Sequence, residues 1–187
     1  MATSPPFFVL GTPRSRTAWL AAFLSAPGRP CIHEPSVHMQ ALDDLLAMLR
    51  APGAAISDSG LTVRWRDIAR ECRDARIVVV RRPLGEVFES VERIGLAGPR
   101  TIPMLRRLDR EIEMMLGRLP VLSVPYHRLA DQAACEAVYE FCHGWAAPDG
   151  HWAEWAPRNI QADVAATVRA VKANAEGMRR LFPALVV

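Results

Sequence analysis

The sequence predicts a three-layer α/β fold, in which helices cover both faces of a parallel sheet. Two observations support this expectation. Short apolar strand patterns alternate with amphipathic helical patterns along the chain, which is typical of parallel sheets. The strongest strand pattern, Arg76–Arg81 with the sequence RIVVVR, lacks the polar alternation of a half-exposed strand. At 187 residues the chain is of ordinary size for one domain, so we expect a single α/β domain over 1–187.

The first half of the chain contains two predicted strands and three predicted helices. Phe7–Leu10 is a short apolar run that ends at Gly11, and Ala54–Ser57 is a second short strand. Helices are predicted where apolar residues recur every three or four positions after a residue suited to capping. These helices run over Ser15–Leu24, from Ser36 through Arg50, and from Thr62 towards Arg73.

The second half alternates in the same way. After Arg76–Arg81, a helix is predicted to begin at Pro83, a residue favoured in the first helical turn. The remaining predictions are a helix over Ile102–Leu116, a strand over Val121–Val124, a helix from Asp131 to Gly144, an irregular segment over Trp145–Asn159 and a final helix over Asp163–Leu181. Ligands of such sheets bind at the carboxyl ends of the strands, which directs attention to the loops after Leu10, Ile32 and Val80.

Composition excludes several classes of protein. Hydrophobic residues make up 50% of the chain and charged residues 23%, which rules out a disordered protein or a collagen-like fibre. The four cysteines show no zinc-ligand spacing, and we expect no metal site. Because no apolar run approaches the ~20 residues that span a bilayer and no signal peptide is evident, we expect a cytoplasmic protein without a membrane span.

The basic residues are almost all arginine, since Lys172 is the single lysine among 23 Lys and Arg residues. Two explanations are open. Codon usage in a GC-rich genome favours arginine, and recognition of anionic oxygens favours the planar, bidentate guanidinium group. The net charge of only +3 gives no reason to expect a nucleic-acid partner.

The first loop, Gly11–Thr17, has the chemistry of a phosphate cradle. A strand–loop–helix arrangement brings free backbone N–H groups and the positive end of a helix to one point. Arg14 adds a cation to that point, and Ser15 and Thr17 add hydroxyl groups. The ATP-type P-loop pattern requires Gly at the position of Arg16 and Lys at that of Thr17, so magnesium-bound ATP is disfavoured.

This loop resembles the 5′-phosphosulfate loop of sulfotransferases, in which a Pro-Lys/Arg-Ser-Gly-Thr core precedes Trp-Leu. The matching residues are Pro13, Arg14, Ser15, Thr17, Trp19 and Leu20. Arg16 stands where the family usually has glycine. The resemblance implies a P-loop NTPase-like fold in a small bacterial or phage-type sulfotransferase. It also implies 3′-phosphoadenosine-5′-phosphosulfate (PAPS) as the donor, adenosine 3′,5′-bisphosphate (PAP) as the product and no metal.

The loop after Val80 resembles a second sulfotransferase element. In that family an Arg at a strand end and a Ser two turns into the next helix hold the 3′-phosphate of the donor. Arg81 fits by its place at the strand end and Arg82 fits by its spacing to Ser90, so both arginines remain candidates. Tyr126 matches, less specifically, a family tyrosine near the adenine; a half-buried loop aromatic is the alternative.

Sulfuryl transfer also requires a base beside the 5′ end of the donor, because the acceptor loses a proton as the bond forms. Some bacterial sulfotransferases carry a glutamate base on the loop after the first helix, which makes Glu34 the first candidate here. His33 is the second candidate, since an unperturbed histidine titrates near neutrality. Asp58 is a third, although an Asx-turn before Thr62 explains it more simply.

These expectations describe a sulfotransferase acting on a hydroxyl or amine acceptor, either a small molecule or a glycan. Arg14 would stabilise the leaving 5′-phosphate. Two alternatives are open: a small P-loop kinase with a degenerate phosphate loop, and a non-catalytic nucleotide-binding or assembly protein. The acceptor and the oligomeric state cannot be read from the sequence.

Overall fold

A five-stranded parallel sheet forms the centre of the protein, with the strand order β2-β3-β1-β4-β5. The computed structural model describes residues 4–160 and 163–183. The strands are β1 (Phe7–Gly11), β2 (Ile32–His33), β3 (Ala55–Ser57), β4 (Arg76–Arg81) and β5 (Val121–Pro125). The predicted fold class is therefore confirmed. The single-domain prediction over 1–187 includes 1–3, 161–162 and 184–187, which lie outside the described residues.

Helices follow the strands in the alternation that the sequence predicts. They are α1 (Thr17–Phe23), α2 (Leu42–Leu49), α3 (Trp65–Glu71), α4 (Leu84–Arg93), α5 (Thr101–Leu116), α6 (Gln132–His143), α7 (His151–Trp155), α8 (Val164–Ala173) and α9 (Ala175–Leu181). Short 3₁₀ turns lie at Pro35–His38, Gly60–Arg64 and Tyr126–Ala130. Within the described ranges, no helix combines the length and the apolar character needed to cross a membrane.

The alternating side chains of the central strands divide the core into two layers. Phe7 and Val9 of β1 point to one face of the sheet and pack with α1, α6 and α7. Phe8 and Leu10 point to the other face and pack with α2, α3, α5 and α9. Because helices cover both faces, every residue of β1 is buried, which explains the continuous apolar run in the sequence.

Capping residues define the limits of α6 as the sequence predicts. The Asp131 side chain accepts a hydrogen bond from the Ala134 N–H group at 2.9 Å, and Gly144 ends the helix at a φ of 82°. The segment Trp145–Asn159, predicted to be irregular, contains the short helix α7. The Trp155 backbone carbonyl accepts a hydrogen bond from the Trp19 indole, and the Trp152 and Trp155 rings pack against the core, whereas Trp145 is exposed.

The helix predicted from Ser36 through Arg50 is wrong in its first part, where a 3₁₀ turn and a loop precede α2. Distant residues bind the backbone of this segment. Asp58 accepts a hydrogen bond from the Ser36 N–H group, and the Asn174 side-chain amide donates to the Val37 and Met39 carbonyls. These backbone groups are therefore satisfied without a helix.

Two further helix predictions need correction. Thr62 does not cap a helix that reaches Arg73, because its hydroxyl group binds the end of β1 and α3 begins only at Trp65. The final helix predicted over Asp163–Leu181 is two helices, which meet at Asn174. Asn174, whose side chain donates to the Val37 and Met39 carbonyls, lies at this break between the two helices.

Gly11 sets how closely β1 approaches β4 at the carboxyl ends of the two strands. A Cβ atom at this position would lie 2.7 Å from the Val80 carbonyl oxygen. The Thr62 hydroxyl accepts a hydrogen bond from the Gly11 N–H group at 3.0 Å and donates to its carbonyl at 2.9 Å. The end of β1 is thus fixed between its neighbours before the chain enters the first loop.

We expect Gly11→Ala to lower the free energy of unfolding by about 1–3 kcal/mol, because the new methyl group would force the backbones of β1 and β4 apart. Urea unfolding measures the change. Gly85→Ala is the control, since a Cβ atom there meets nothing and alanine favours a helix by roughly 0.5–1 kcal/mol. Equal loss of stability in both variants would contradict this account of Gly11.

Candidate active site

A cleft of about 790 Å³ opens at the carboxyl ends of the strands. Its volume lies within the range of roughly 300–1,000 Å³ that is typical of small-molecule sites. The wall near the strand ends consists of Pro13, Arg14, Arg16, Thr17, His33, Glu34, Asp58, Ser59, Arg82, Ser90 and Tyr126. Residues from all three loops that the sequence singles out therefore meet in one cleft.

The first loop turns sharply between β1 and α1. Arg14 and Arg16 both adopt the left-handed backbone conformation, with φ of 64° and 61°. Arg16 occupies this conformation at the position where sulfotransferases usually have glycine, the residue that adopts it at least cost. An arginine is thus held in a glycine-like conformation at the start of α1.

The side chains of this loop divide between the cleft and the protein interior. Ser15, a predicted donor ligand, is fully buried and shares a 2.9 Å hydrogen bond with the Thr12 hydroxyl. The Arg16 guanidinium donates to the Leu129 carbonyl at 2.9 Å and lies over the Trp19 ring. Arg14, Arg16 and Thr17 therefore line the cleft, and Arg16 also packs on Trp19. The Ser15 hydroxyl lies beneath the loop instead.

Arg82 joins the first loop to the third. Its guanidinium donates to the Arg14 carbonyl at 2.5 Å and stacks on the Tyr126 ring, 4.1 Å from the ring centroid. Arg14 in turn donates from Nε to the Ser90 hydroxyl on α4 at 3.2 Å. Two arginines, a hydroxyl group and an aromatic ring, drawn from three separate segments, form one connected group at the cleft wall.

Arg81 lies elsewhere. As the last residue of β4 it points to the sheet face that carries α5, where its guanidinium pairs with the Glu113 carboxylate. It does not line the cleft. Arg81 and Arg82, the two candidate 3′-phosphate ligands, therefore point in different directions because side chains alternate along a strand. The structure brings only Arg82 together with Ser90 and Tyr126.

Thr17, His33 and Glu34 form a second polar group on the opposite side of the loop. The Thr17 hydroxyl shares a 3.2 Å hydrogen bond with His33 Nε2, which lies 3.9 Å from Glu34 Oε1. The Ser59 hydroxyl donates to the same carboxylate oxygen at 2.9 Å. Both base candidates therefore lie beside the first turn of α1, within reach of a group bound at the first loop.

Burial shifts the pKa values of Glu34 and His33 in the directions that favour the neutral form of each group. Removal from water, with a smaller contribution from the negative charge of Asp58, raises the pKa of Glu34 to about 7, although the Ser59 hydrogen bond opposes this. Burial also lowers the pKa of His33, while Asp58 opposes that change. At neutral pH Glu34 exchanges a proton readily, and His33 is a neutral hydrogen-bonding partner.

Asp58 has a structural role in the described contacts. One carboxylate oxygen accepts from the Ser36 N–H group at 3.0 Å, and the other accepts from the Leu61 N–H group at 3.1 Å. Both contacts agree with the turn interpretation of Asp58 and occupy both of its carboxylate oxygens. Within residues 4–160 and 163–183 no three His, Cys, Asp or Glu side chains cluster in a way that could hold a metal ion.

Part of the cleft was not evident from the sequence. Ser59 lies two residues after β3, but nothing in the sequence indicates that its hydroxyl group donates a hydrogen bond to Glu34. A second wall is apolar and comes mainly from α4, α5 and α8. The sequence predicts that apolar positions on amphipathic helices belong to the core. Periodicity alone does not distinguish a residue that faces a cleft from one that faces another helix.

Comparison with known proteins gives only weak likeness in fold. No protein-family model and no curated protein sequence matches the chain. Among solved structures, a gluconokinase from Sinorhizobium meliloti 1021 superposes with a TM-score of 0.47 and 14% sequence identity, over 84% of this chain and 96% of that one. Likeness at this level does not transfer an activity from one protein to the other.

The raised pKa of Glu34 predicts how stability depends on pH. Because the carboxyl group holds its proton more tightly in the folded protein than in the unfolded chain, the stability it contributes is present below pH ~4.5 and is lost as the pH rises through about 7. Glu34→Gln removes this ionisation. We therefore expect the variant to gain about 1–3 kcal/mol over the wild type between pH 5 and pH 8.

Urea unfolding at several pH values measures that gain. Glu89→Gln, which changes an exposed carboxylate of α4, is the control and is expected to follow the wild type. A Glu34→Gln curve parallel to the wild-type curve over pH 5–8 would mean that Glu34 ionises normally.

Proposed function

We propose that the protein transfers a sulfuryl group from PAPS to a hydroxyl or amine acceptor. The observation that supports this most directly is the hydrogen bond from Arg14 to Ser90, which joins the first anion-binding loop to the second within one cleft. PAPS carries phosphate groups at both its 3′ and 5′ positions, so a site for it requires two anion-binding elements close together. The arginine-based composition of both elements fits such a ligand.

In this proposal the two groups of cleft residues have separate tasks. Arg14, Thr17 and the N-terminus of α1 bind the 5′-phosphosulfate. Arg82 and Ser90 bind the 3′-phosphate, and Tyr126, held under the Arg82 guanidinium, borders the nucleoside. Because arginine stays protonated at all ordinary pH values, Arg14 and Arg82 keep their positive charge across the working pH range.

Glu34 acts as the base. The acceptor oxygen or nitrogen forms a bond to sulfur, the bond from sulfur to the 5′-phosphate oxygen breaks, and the acceptor proton passes to the Glu34 carboxylate. A pKa of about 7 leaves roughly half of the carboxyl groups ionised at neutral pH, which suits proton transfer in either direction. Arg14 stabilises the negative charge that develops on the leaving phosphate.

The second candidate is phosphoryl transfer from ATP to a small molecule, the activity class that the name gluconokinase denotes. Within this chain it is supported by the order of β1, the loop that begins at Gly11 and α1, although Ala18 stands where P-loop kinases present a Ser or Thr to magnesium. The lysine that such loops use for the β- and γ-phosphates is missing, since Thr17 occupies its position. This difference favours the sulfuryl donor.

Calorimetric titration with PAP and with ATP, each in magnesium and in EDTA, separates the two candidates. We expect micromolar binding of PAP that does not depend on metal, and weak binding of ATP. Arg82→Ala is expected to weaken PAP binding about tenfold or more, because a charged hydrogen bond to phosphate is lost. Arg81→Ala, on the next residue but outside the cleft, should bind PAP as the wild type does.

Two other results of that titration would contradict the proposal. Tight, magnesium-dependent ATP binding would identify a kinase. Binding of neither nucleotide would leave an α/β protein without a nucleotide donor.

Turnover of an acceptor found by screening hydroxyl and amine compounds tests Glu34 as the base. Glu34→Gln keeps the size and the Ser59 contact but cannot accept a proton, so we expect a loss of about 10²-fold or more in kcat with PAP binding unchanged. His33→Gln, one residue away, should retain more activity. Full activity in Glu34→Gln would transfer the role to His33. Donor binding with no turnover on any acceptor would support a non-catalytic nucleotide-binding protein.

A further inference from the structure

The cleft continues from its anion-binding end along α4 and α5. Ser90, the Arg14 partner, is followed one helical turn later by Ile94, which also lines the cleft. Met104 and Leu108 of α5 lie four residues apart and face the same space. Beyond Ser90 this wall therefore presents aliphatic and thioether side chains.

The wall formed by α8, α9 and the 3₁₀ turn after Glu34 has the same character. Val168 and Val171 of α8 and Met178 of α9 line it, together with Val37 of the 3₁₀ turn that follows Glu34. The Asn174 amide, between α8 and α9, donates to the Val37 carbonyl at 3.0 Å and so keeps this wall beside the candidate base. An acceptor whose hydroxyl group reaches Glu34 must therefore place its remainder between two apolar walls.

Basic side chains surround this apolar part of the cleft. Arg93 ends α4, Arg100 directly precedes α5, and Lys172 lies on α8 beside Val171. All three line the cleft, all three are exposed, and none forms an ion pair within the described part of the chain. The carboxylates that line the cleft, Glu34 and Asp58, belong to the loops that follow β2 and β3.

We infer that the acceptor is an amphipathic hydroxyl compound with an apolar body and an anionic group at the end away from the reacting hydroxyl. This inference rests on the proposed sulfuryl transfer. A polar sugar would lose hydrogen bonds to water wherever it lies against the aliphatic and thioether side chains of these walls, which costs roughly 1–3 kcal/mol for each group left unpaired. The apolar body gains from the same burial, and Arg93 and Arg100 are placed to bind the anion.

Calorimetry of the PAP-loaded protein with three probes tests the inference. They are 10-hydroxydecanoate, its neutral counterpart decane-1,10-diol, and glucuronate as a polar anion. We expect 10-hydroxydecanoate to bind about tenfold or more tightly than either of the others, since only it satisfies both the apolar walls and the basic end. Equal or tighter binding of glucuronate would overturn the inference.

Two variants identify which part of the cleft each probe uses. The double variant Arg93→Gln, Arg100→Gln should weaken 10-hydroxydecanoate about tenfold and leave the diol unchanged, whereas Met104→Gln should weaken both. Arg106→Gln, on the opposite face of α5 by helical spacing, is the control and should change neither. Unaltered binding of 10-hydroxydecanoate in the double variant would remove the anionic group from the inference.

Titration of PAP alone separates this inference from the proposed function. PAP binding without binding of 10-hydroxydecanoate overturns the acceptor class and leaves sulfuryl transfer intact. Binding of 10-hydroxydecanoate to a protein that does not bind PAP overturns the donor, and with it the assignment of this compound class as a sulfuryl acceptor. PAP binding also reports that each variant is folded.

Discussion

The close approach of β1 to β4 at Gly11 is the constraint on which the cleft depends. With no side chain at this position, the Val80 carbonyl lies against the Gly11 backbone, and the Thr62 hydroxyl holds both polar groups of that residue. The two strands therefore end side by side. Arg14, three residues after β1, and Arg82, directly after β4, meet through the Arg14 carbonyl and contribute to one cleft.

Local sequence patterns correctly predicted the strands and helix caps that are determined by a few neighbouring residues. The strand over Arg76–Arg81 and the cap of α6 at Asp131 agree with the structure because apolar composition and capping chemistry act within a few residues. The alternation of strands and helices predicted the fold class for the same reason. Placement of the candidate site at the carboxyl ends of the strands follows from the topology of parallel sheets.

Features that depend on distant contacts could not be predicted from single segments. Ser36 has the chemistry of a helix cap, yet Asp58 binds its N–H group and Asn174 binds the carbonyls that follow, so the chain forms a 3₁₀ turn. The choice between Arg81 and Arg82 required the direction in which β4 points its last side chain. The apolar walls of the cleft required the packing of helices that are far apart in the sequence.

The left-handed conformations at the cleft have a consequence for attempts to make the protein more robust. Among the described residues, non-glycine residues with positive φ occur at Arg14, Arg16 and Glu34, all of which line the cleft. Such conformations cost of order 1–3 kcal/mol each. Directed evolution for heat resistance is therefore expected to select glycine at these positions. The more stable variants would lack charged side chains that line the cleft.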